Sequence, residues 1–110
     1  MKCIKAILRP DKEPEVIRDL EAAGISALTK WDVLGRGRQK GIQVGSSVYS
    51  ELPKVCLMLI VEDEHAPKAI DIIMASARTG HPGDGRIFVN EVATAYTIRT
   101  GRADAPTAGS

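Results

Sequence analysis

The spacing of apolar residues predicts an α+β domain whose elements run in the order β-α-β-β-α-β. Two stretches, near 16–23 and 66–77, carry apolar residues at helical spacing, and strand-like runs flank them. Glycine or proline punctuates the boundaries: Pro10, Gly24, Pro53, Gly80. A chain of 110 residues has room for one domain with one modest core.

Lys2 to Arg9 is strand-like and is stopped by Pro10. Glu13-Pro14-Glu15 opens a helix, with proline tolerated in the first turn and acidic side chains near the positive end of the dipole. Val16, Ile17, Leu20 and Ala23 keep helical spacing, and Gly24 terminates it. A second strand is expected from about Ile25 to Leu34, where Ile25, Thr29, Trp31 and Val33 are β-formers. The run Gly35-Arg36-Gly37-Arg38-Gln39-Lys40-Gly41 breaks the pattern, and no periodicity returns before Glu51. Residues 37–51 therefore read as a long loop, a type that is usually functional or disordered in a compact domain.

Leu52-Pro53-Lys54 leads into Val55–Val61, the most hydrophobic run in the chain. A second helix starts near Pro67, with Ala66, Ile70, Ile73 and Ala77 on one face, and ends at Thr79-Gly80. Gly80-His81-Pro82-Gly83-Asp84-Gly85 is a tight turn. Strand resumes at Arg86-Ile87-Phe88-Val89 and is expected to continue through Val92 towards Thr97-Ile98-Arg99. The domain is thus expected over 1–101, with 102–110, rich in Ala, Pro, Gly and Ser, as a flexible tail. Two split β-α-β halves with both helices on one face of an antiparallel sheet make the ferredoxin-like arrangement.

The run Val55–Val61 does not alternate between apolar and polar. Val55, Leu57, Leu59 and Val61 face one way, and Cys56, Met58 and Ile60 the other. Two helices cover one sheet face only, so the pattern favours self-association through the second. The other reading is that the chain's own long loop covers that face.

Composition narrows the function. A formal net charge of +1 supplies no global field for nucleic acid or membrane. No apolar run approaches the roughly 20 residues that span a bilayer, and the N-terminus is too short and alternating for a signal peptide, so the protein is expected in the cytoplasm and not as an integral membrane protein. Cys3 and Cys56 sit within strands without a nearby histidine or second thiol, as buried free thiols do in a reducing compartment. Arg36, Arg38 and Lys40 could form a nucleic-acid patch, but RNA readers of this topology stack bases on strand aromatics, and the corresponding strands here are aliphatic. No nucleic-acid partner is expected.

Chemistry concentrates at Gly80–Arg86. Three glycines let the backbone take φ > 0, successive N–H groups can form an anion-binding nest, and Arg86 adds a planar fork suited to phosphate. Such a turn also serves as a plain helix-to-strand connector, and it is not a Walker motif. Arg38, Gln39, Lys54 and Arg99 lie near strand ends and together with the turn suggest a polyphosphate site; each alone reads as a solvated group. His65 and His81 are the only histidines, and no nucleophile-base set is suggested by spacing, so an enzyme is not expected.

These residues resemble the nitrogen-regulatory PII signal proteins. The landmarks are Ile4–Pro10, Gly35-x-Gly37-Arg38-Gln39-Lys40-Gly41, Leu52-Pro53-Lys54, Thr79-Gly80-x-x-Gly83-Asp84-Gly85-Arg86-Ile87-Phe88 and Ile98-Arg99-Thr100-Gly101, covering Met1 to about Gly101. The resemblance implies a trimer formed through the sheet faces, with ATP or ADP in the clefts between subunits. Gly83, Asp84, Gly85 and Arg86 would surround the phosphates, assisted by Gly37, Arg38 and the neighbour's Arg99. Ile60 and, from the neighbour, Thr29 would lie by the adenine. Gln39 would help hold Mg²⁺, and Gly37, Gln39, Lys40, Gly41 and Lys54 would receive 2-oxoglutarate, whose oxygens suit a magnesium already bound by ATP. The loop would then change shape and carry the signal to a partner.

The chain departs from the general pattern in ways that resemble the branch encoded with nitrogen-fixation genes. The loop is about four residues shorter, the family's modified tyrosine falls near Ser47 with Tyr49 the nearest tyrosine, and His81 and Thr97 replace basic residues. The resemblance then implies a regulator of a nitrogenase component, as a homotrimer or mixed with a sister PII-type protein. The alternatives are a general PII regulator of an ammonium transporter or of glutamine synthetase control, and, from another class, a small phosphate-ester enzyme.

Overall fold

Alternation in the first strand sorts its side chains into two layers: Ile4, Ala6 and Leu8 are buried, whereas Lys5 is exposed. A computed structural model describes residues 1–36, 42–44, 47–49 and 51–104, with 42–44 and 47–49 as backbone only. In chain order the elements are β1 (Lys2–Leu8), α1 (Glu13–Ala22), β2 (Thr29–Gly35), β3 (Ile42–Val44), β4 (Ser47–Tyr49), β5 (Leu52–Val61), α2 (Ala66–Ala77), β6 (Gly85–Glu91), β7 (Tyr96–Thr97) and β8 (Arg102–Ala103). The main sheet has the order β2-β5-β1-β6, antiparallel throughout, and both helices lie on one side, which is the expected ferredoxin-like α+β architecture.

Each helix follows a short 3-10 turn, Pro10–Lys12 or Asp63–His65, and carries a proline (Pro14, Pro67) in its first turn, where the missing N–H costs nothing. The end of α1 is closed by Gly24 at φ 84°, with Gly24 N–H donating to Glu21 O and Ile25 N–H to Leu20 O, both at 2.9 Å. Val16 and Leu20 from α1, and Ala66, Ala69, Ile73 and Ala77 from α2, meet Ile4, Ala6, Leu8, Val55, Leu57, Leu59 and Val61 in a single core. Ser76 Oγ donates to Asp19 Oδ2 at 2.6 Å and joins the two helices. Truncating a fully buried centre such as Leu57 to alanine would cost about 2–5 kcal/mol.

Register assigns the second sheet face. Opposite the helices lie Cys3, Lys5 and Ile7; Lys54, Cys56, Met58 and Ile60; Thr29, Trp31 and Val33; and Arg86, Phe88 and Asn90. Val55, Leu57, Leu59 and Val61 face the helices and the intervening residues the open side, as the lack of alternation in that strand required. Trp31, Ile60 and Phe88 stay exposed there.

Several element boundaries differ from expectation. The second strand begins at Thr29, because Ile25 and Leu28 are drawn into packing against the helix-side core. The segment read as a long loop contains a hairpin, with Ile42 paired to Tyr49 and Val44 to Ser47; Ile42, Val44, Val48 and Tyr49 are β-formers. β5 starts early and includes Pro53, which is tolerated because β1 pairs with β5 only from Val55 onward. The last strand is interrupted: β6 ends at Glu91, and β7 pairs with β8 across a turn where Gly101 takes φ 68° and Ile98 is 97% exposed. The first residues of the expected tail are therefore hydrogen-bonded, since Arg102–Ala103 forms β8 and Asp104 N–H donates to Ala95 O at 2.7 Å. Residues 105–110 of that tail lie outside the described residues. Among the described residues, no helix is long and apolar enough to cross a membrane.

Candidate functional site

The glycines after α2 do geometric work that other residues cannot. Gly80, Gly83 and Gly85 take φ of 88°, 96° and 105°. A Cβ on Gly85 would stand 1.7 Å from the Ile7 carbonyl oxygen, so this position passes directly against the β1 backbone. That close approach sets where β6 starts and where Arg86 emerges, on the open sheet face across from Ile7.

Asp84 is the internal organiser of the turn. Its carboxylate accepts from Thr79 Oγ1, from Thr79 N at 2.9 Å, from Gly80 N at 2.8 Å and from Arg9 Nε at 3.1 Å. Four donors stabilise the charged form, the Thr79 hydroxyl foremost, and hold this carboxyl well below the usual carboxylate range. Arg9 also donates from Nη2 to the Pro82 carbonyl at 2.7 Å.

Lys54 enters from β5. Its ammonium donates to the Gly83 carbonyl, and its stem runs past Gly35, where a Cβ would come within 3.0 Å of Lys54 Cγ. Burial lowers the Lys54 pKa, and the nearby Arg9 charge lowers it further. Lys54, Gly35, Arg36, Gly83, Gly85 and Arg86 line a cleft of about 470 Å³, with Phe88 forming an apolar wall. The Arg86 guanidinium lies 5.7 Å from the Phe88 ring centroid. At the rim, Arg36 Nη2 bonds Glu51 Oε1 at 2.9 Å and closes the base of the segment between them.

The cleft is therefore cationic, with backbone groups of a glycine turn at its floor, and its neighbouring carboxylate is already engaged. Such a place suits an anion with several oxygens. Among the described residues no cluster of His, Cys, Asp or Glu could hold a metal ion.

Of the residues expected at the site, the structure brings together Lys54, Gly83, Gly85 and Arg86, with Asp84 directly behind them. Gly37, Arg38, Gln39, Lys40 and Gly41 lie outside the described residues. Thr29 pairs with Met58, which puts Thr29 and Ile60 at the opposite end of the sheet from Lys54. Ile60 lies six positions along β5 from Lys54, or about 20 Å. Ile60 therefore does not share one end of one chain with the glycine turn. Arg99 stands in the exposed turn between β7 and β8 and does not line the cleft. Thr97 is bonded to Asp104, Oγ1 to Oδ1 at 2.6 Å. His81 is exposed, its N–H donating to Thr79 Oγ1 at 3.1 Å. Residues given no role from the sequence are Arg9, Thr79, Gly35 and Ile7; Gly35 and Thr79 stand within the quoted motifs, and a basic residue at the end of an apolar strand was the hint for Arg9.

The chain is similar to known proteins along most of its length. The family model described as nitrogen regulatory protein P-II matches residues 1–102. The chain is 56% identical over 102 residues, 93% of its length, to the nitrogen fixation nifHD1 region GlnB-like protein 1 of Methanosarcina barkeri, covering 97% of that protein. It is 53% identical over 100 residues to the nifHD region glnB-like protein 1 of Methanococcus maripaludis, covering 91% of this chain and 95% of that one. To the nitrogen regulatory protein P-II of Rhizobium etli it is 44% identical over 108 residues, covering 94% and 96%.

Proposed function

Because this chain belongs to the nitrogen regulatory protein P-II family, we propose that it is a non-catalytic sensor that binds ATP or ADP with Mg²⁺, and 2-oxoglutarate, between subunits of a trimer. The observation that carries the reading is the convergence of Lys54, Arg36 and Arg86 on a cleft floored by Gly83 and Gly85. In this reading the phosphates lie on the Gly83–Arg86 turn. The Asp84 backbone N–H contributes, and its carboxylate does not, since it is occupied within the protein. Ile60, about 20 Å from Lys54 along its own strand, and Thr29, paired with Met58 towards that same end, come from the neighbouring copy with Arg99. The open sheet face, with Trp31, Cys56, Met58, Ile60 and Phe88, is the surface that brings the copies together.

Arg38 with Gly37 would complete the phosphate end, and Gln39 would give its amide oxygen to the magnesium. The dicarboxylate would then take Lys54 and the backbone of Gly37 to Gly41. Mg²⁺ supplies a hard cation that joins phosphate to carboxylate oxygens; the protein's own part is to orient both anions and to shift the segment between Arg36 and Glu51. That segment would dock on a nitrogenase component; relatives named for nitrogen-fixation gene regions support the link to nitrogen fixation.

Titration calorimetry tests the sensor. MgATP and MgADP should bind, and 2-oxoglutarate should bind only when MgATP is present. Absence of nucleotide binding, or 2-oxoglutarate binding indifferent to MgATP, ends the reading. Nitrogenase activity measured with and without the protein, and with 2-oxoglutarate added, tests the partner; an unaffected rate favours a different target.

A further inference from the structure

From the contacts of the Arg9 guanidinium we infer that Arg9 is a positioning residue: with Lys54 it draws the inner edge of the glycine turn inward, so that the Gly83 and Asp84 N–H groups face out to receive phosphate. That the anion is a nucleotide phosphate rests on the function proposed above; the latch itself rests on geometry alone.

Arg9 is placed by local sequence. It follows β1 and precedes Pro10, and a residue before proline is driven to extended backbone; Arg9 takes φ −63° and ψ 136°. From there its planar fork reaches two groups of the turn at once, Asp84 Oδ1 through Nε and the Pro82 carbonyl through Nη2. Lys54 holds the next carbonyl, that of Gly83. In a trans peptide the C=O and N–H point in opposite directions. With the Pro82 and Gly83 carbonyls turned towards the two cations, the N–H groups of Gly83 and Asp84 are turned away from them. Meanwhile Asp84 uses its carboxylate to fix Thr79 and Gly80 at the other side of the turn. Arg9 itself is not among the residues lining the cleft. Its hydrogen bonds go to the turn, to Asp84 and Pro82.

The test compares wild type, Arg9→Gln and Arg9→Lys in two measurements. In ligand-free protein, amide exchange and chemical shifts at Thr79, Gly80, Gly83 and Asp84 report the latch. Arg9→Gln should shift these amides and speed exchange at Thr79 and Gly80, while the core amides of β1 and β5 stay protected. Calorimetry should then show MgATP and MgADP binding weakened about tenfold or more in Arg9→Gln, as expected for loss of charge-assisted bonds. Arg9→Lys, which keeps the charge but reaches one group instead of two, should recover part of the affinity. Unchanged turn amides together with unchanged affinity overturn the inference. Lost affinity with unchanged amides overturns it too, since Arg9 would then touch the ligand. If wild type takes no nucleotide while the amides respond, the functional reading fails and the latch stands as a structural one.

Discussion

The Lys54 ammonium donates to the Gly83 carbonyl and so ties the start of β5 to the glycine turn. Lys54 is only 9% exposed, and Gly35 leaves the space for its stem. A dicarboxylate that takes this ammonium must compete with the Gly83 carbonyl, so ligand capture and turn geometry share one side chain. Lys54→Met keeps the apolar stem and removes the charge. The variant should fold and bind MgATP more weakly, since the Gly83 carbonyl loses its donor, and at saturating MgATP its 2-oxoglutarate affinity measured by calorimetry should fall by about tenfold or more. Retained 2-oxoglutarate binding would remove Lys54 from the site.

Two glycines of the same turn predict different costs. Gly80 has positive φ but open space around its Cβ position, whereas Gly85 combines φ 105° with an Ile7 carbonyl 1.7 Å away. Gly80→Ala should lower unfolding free energy by about 1–2 kcal/mol, through backbone strain alone. Gly85→Ala should lose about 3 kcal/mol or more, because the β1–β6 pairing must separate to admit the methyl group. Urea unfolding of both variants checks the ordering; equal losses would mean that the contact with Ile7 relaxes at no cost.

Local signals in the sequence account for what could be read from it. Apolar spacing and the Pro-Gly punctuation announce the β-α-β-β-α-β order, and the non-alternating Val55–Val61 run announces a sheet whose second face wants cover. Lys54 and the glycine turn were each visible as candidate chemistry, but their convergence was not. What stayed hidden depends on register and on distant partners. Arg9 meets Asp84 across 75 residues of chain, and no local pattern encodes that contact. The place of Thr29, beside Met58 and away from Lys54, follows from the antiparallel register of β2 on β5, which composition does not carry. The hairpin Ile42–Tyr49 escaped because three-residue strands are too short to establish a period.

Asp84 predicts how the turn responds to acid. Hydrogen bonds from the Thr79 hydroxyl first, then from the Thr79 and Gly80 amides and Arg9, lower its native pKa below the ordinary value of 3.8. In the window between the two values the unfolded chain binds more protons at this site than the folded one. The stabilisation is therefore fully present above about pH 3.8 and is lost only as pH falls through the depressed native value. Carboxyl-carbon NMR should show Asp84 titrating after the exposed carboxylates, and Thr79 and Gly80 amides should keep their shifts while those groups protonate. An Asp84 that titrates with the exposed carboxylates would show the four donors to be ineffective.

The open sheet face predicts what disrupts assembly. Its register places Lys5, Lys54 and Arg86 there together with Trp31, Cys56, Met58, Ile60 and Phe88, and no acidic side chain. Met58 sits centrally, between Lys5 on β1 and Thr29 on β2. Met58→Arg would bury a charge beside a like charge with no partner, at a cost of several kcal/mol on association. In the free chain the same side chain reaches water, so the fold should survive. Light scattering should give the mass of three chains for wild type and of one chain for Met58→Arg, with helix and sheet content unchanged by circular dichroism. Met58→Leu, which keeps the face apolar, should remain assembled. If Met58→Arg keeps the wild-type mass, the copies meet through some other surface, and Thr29 and Ile60 no longer have a route to the glycine turn.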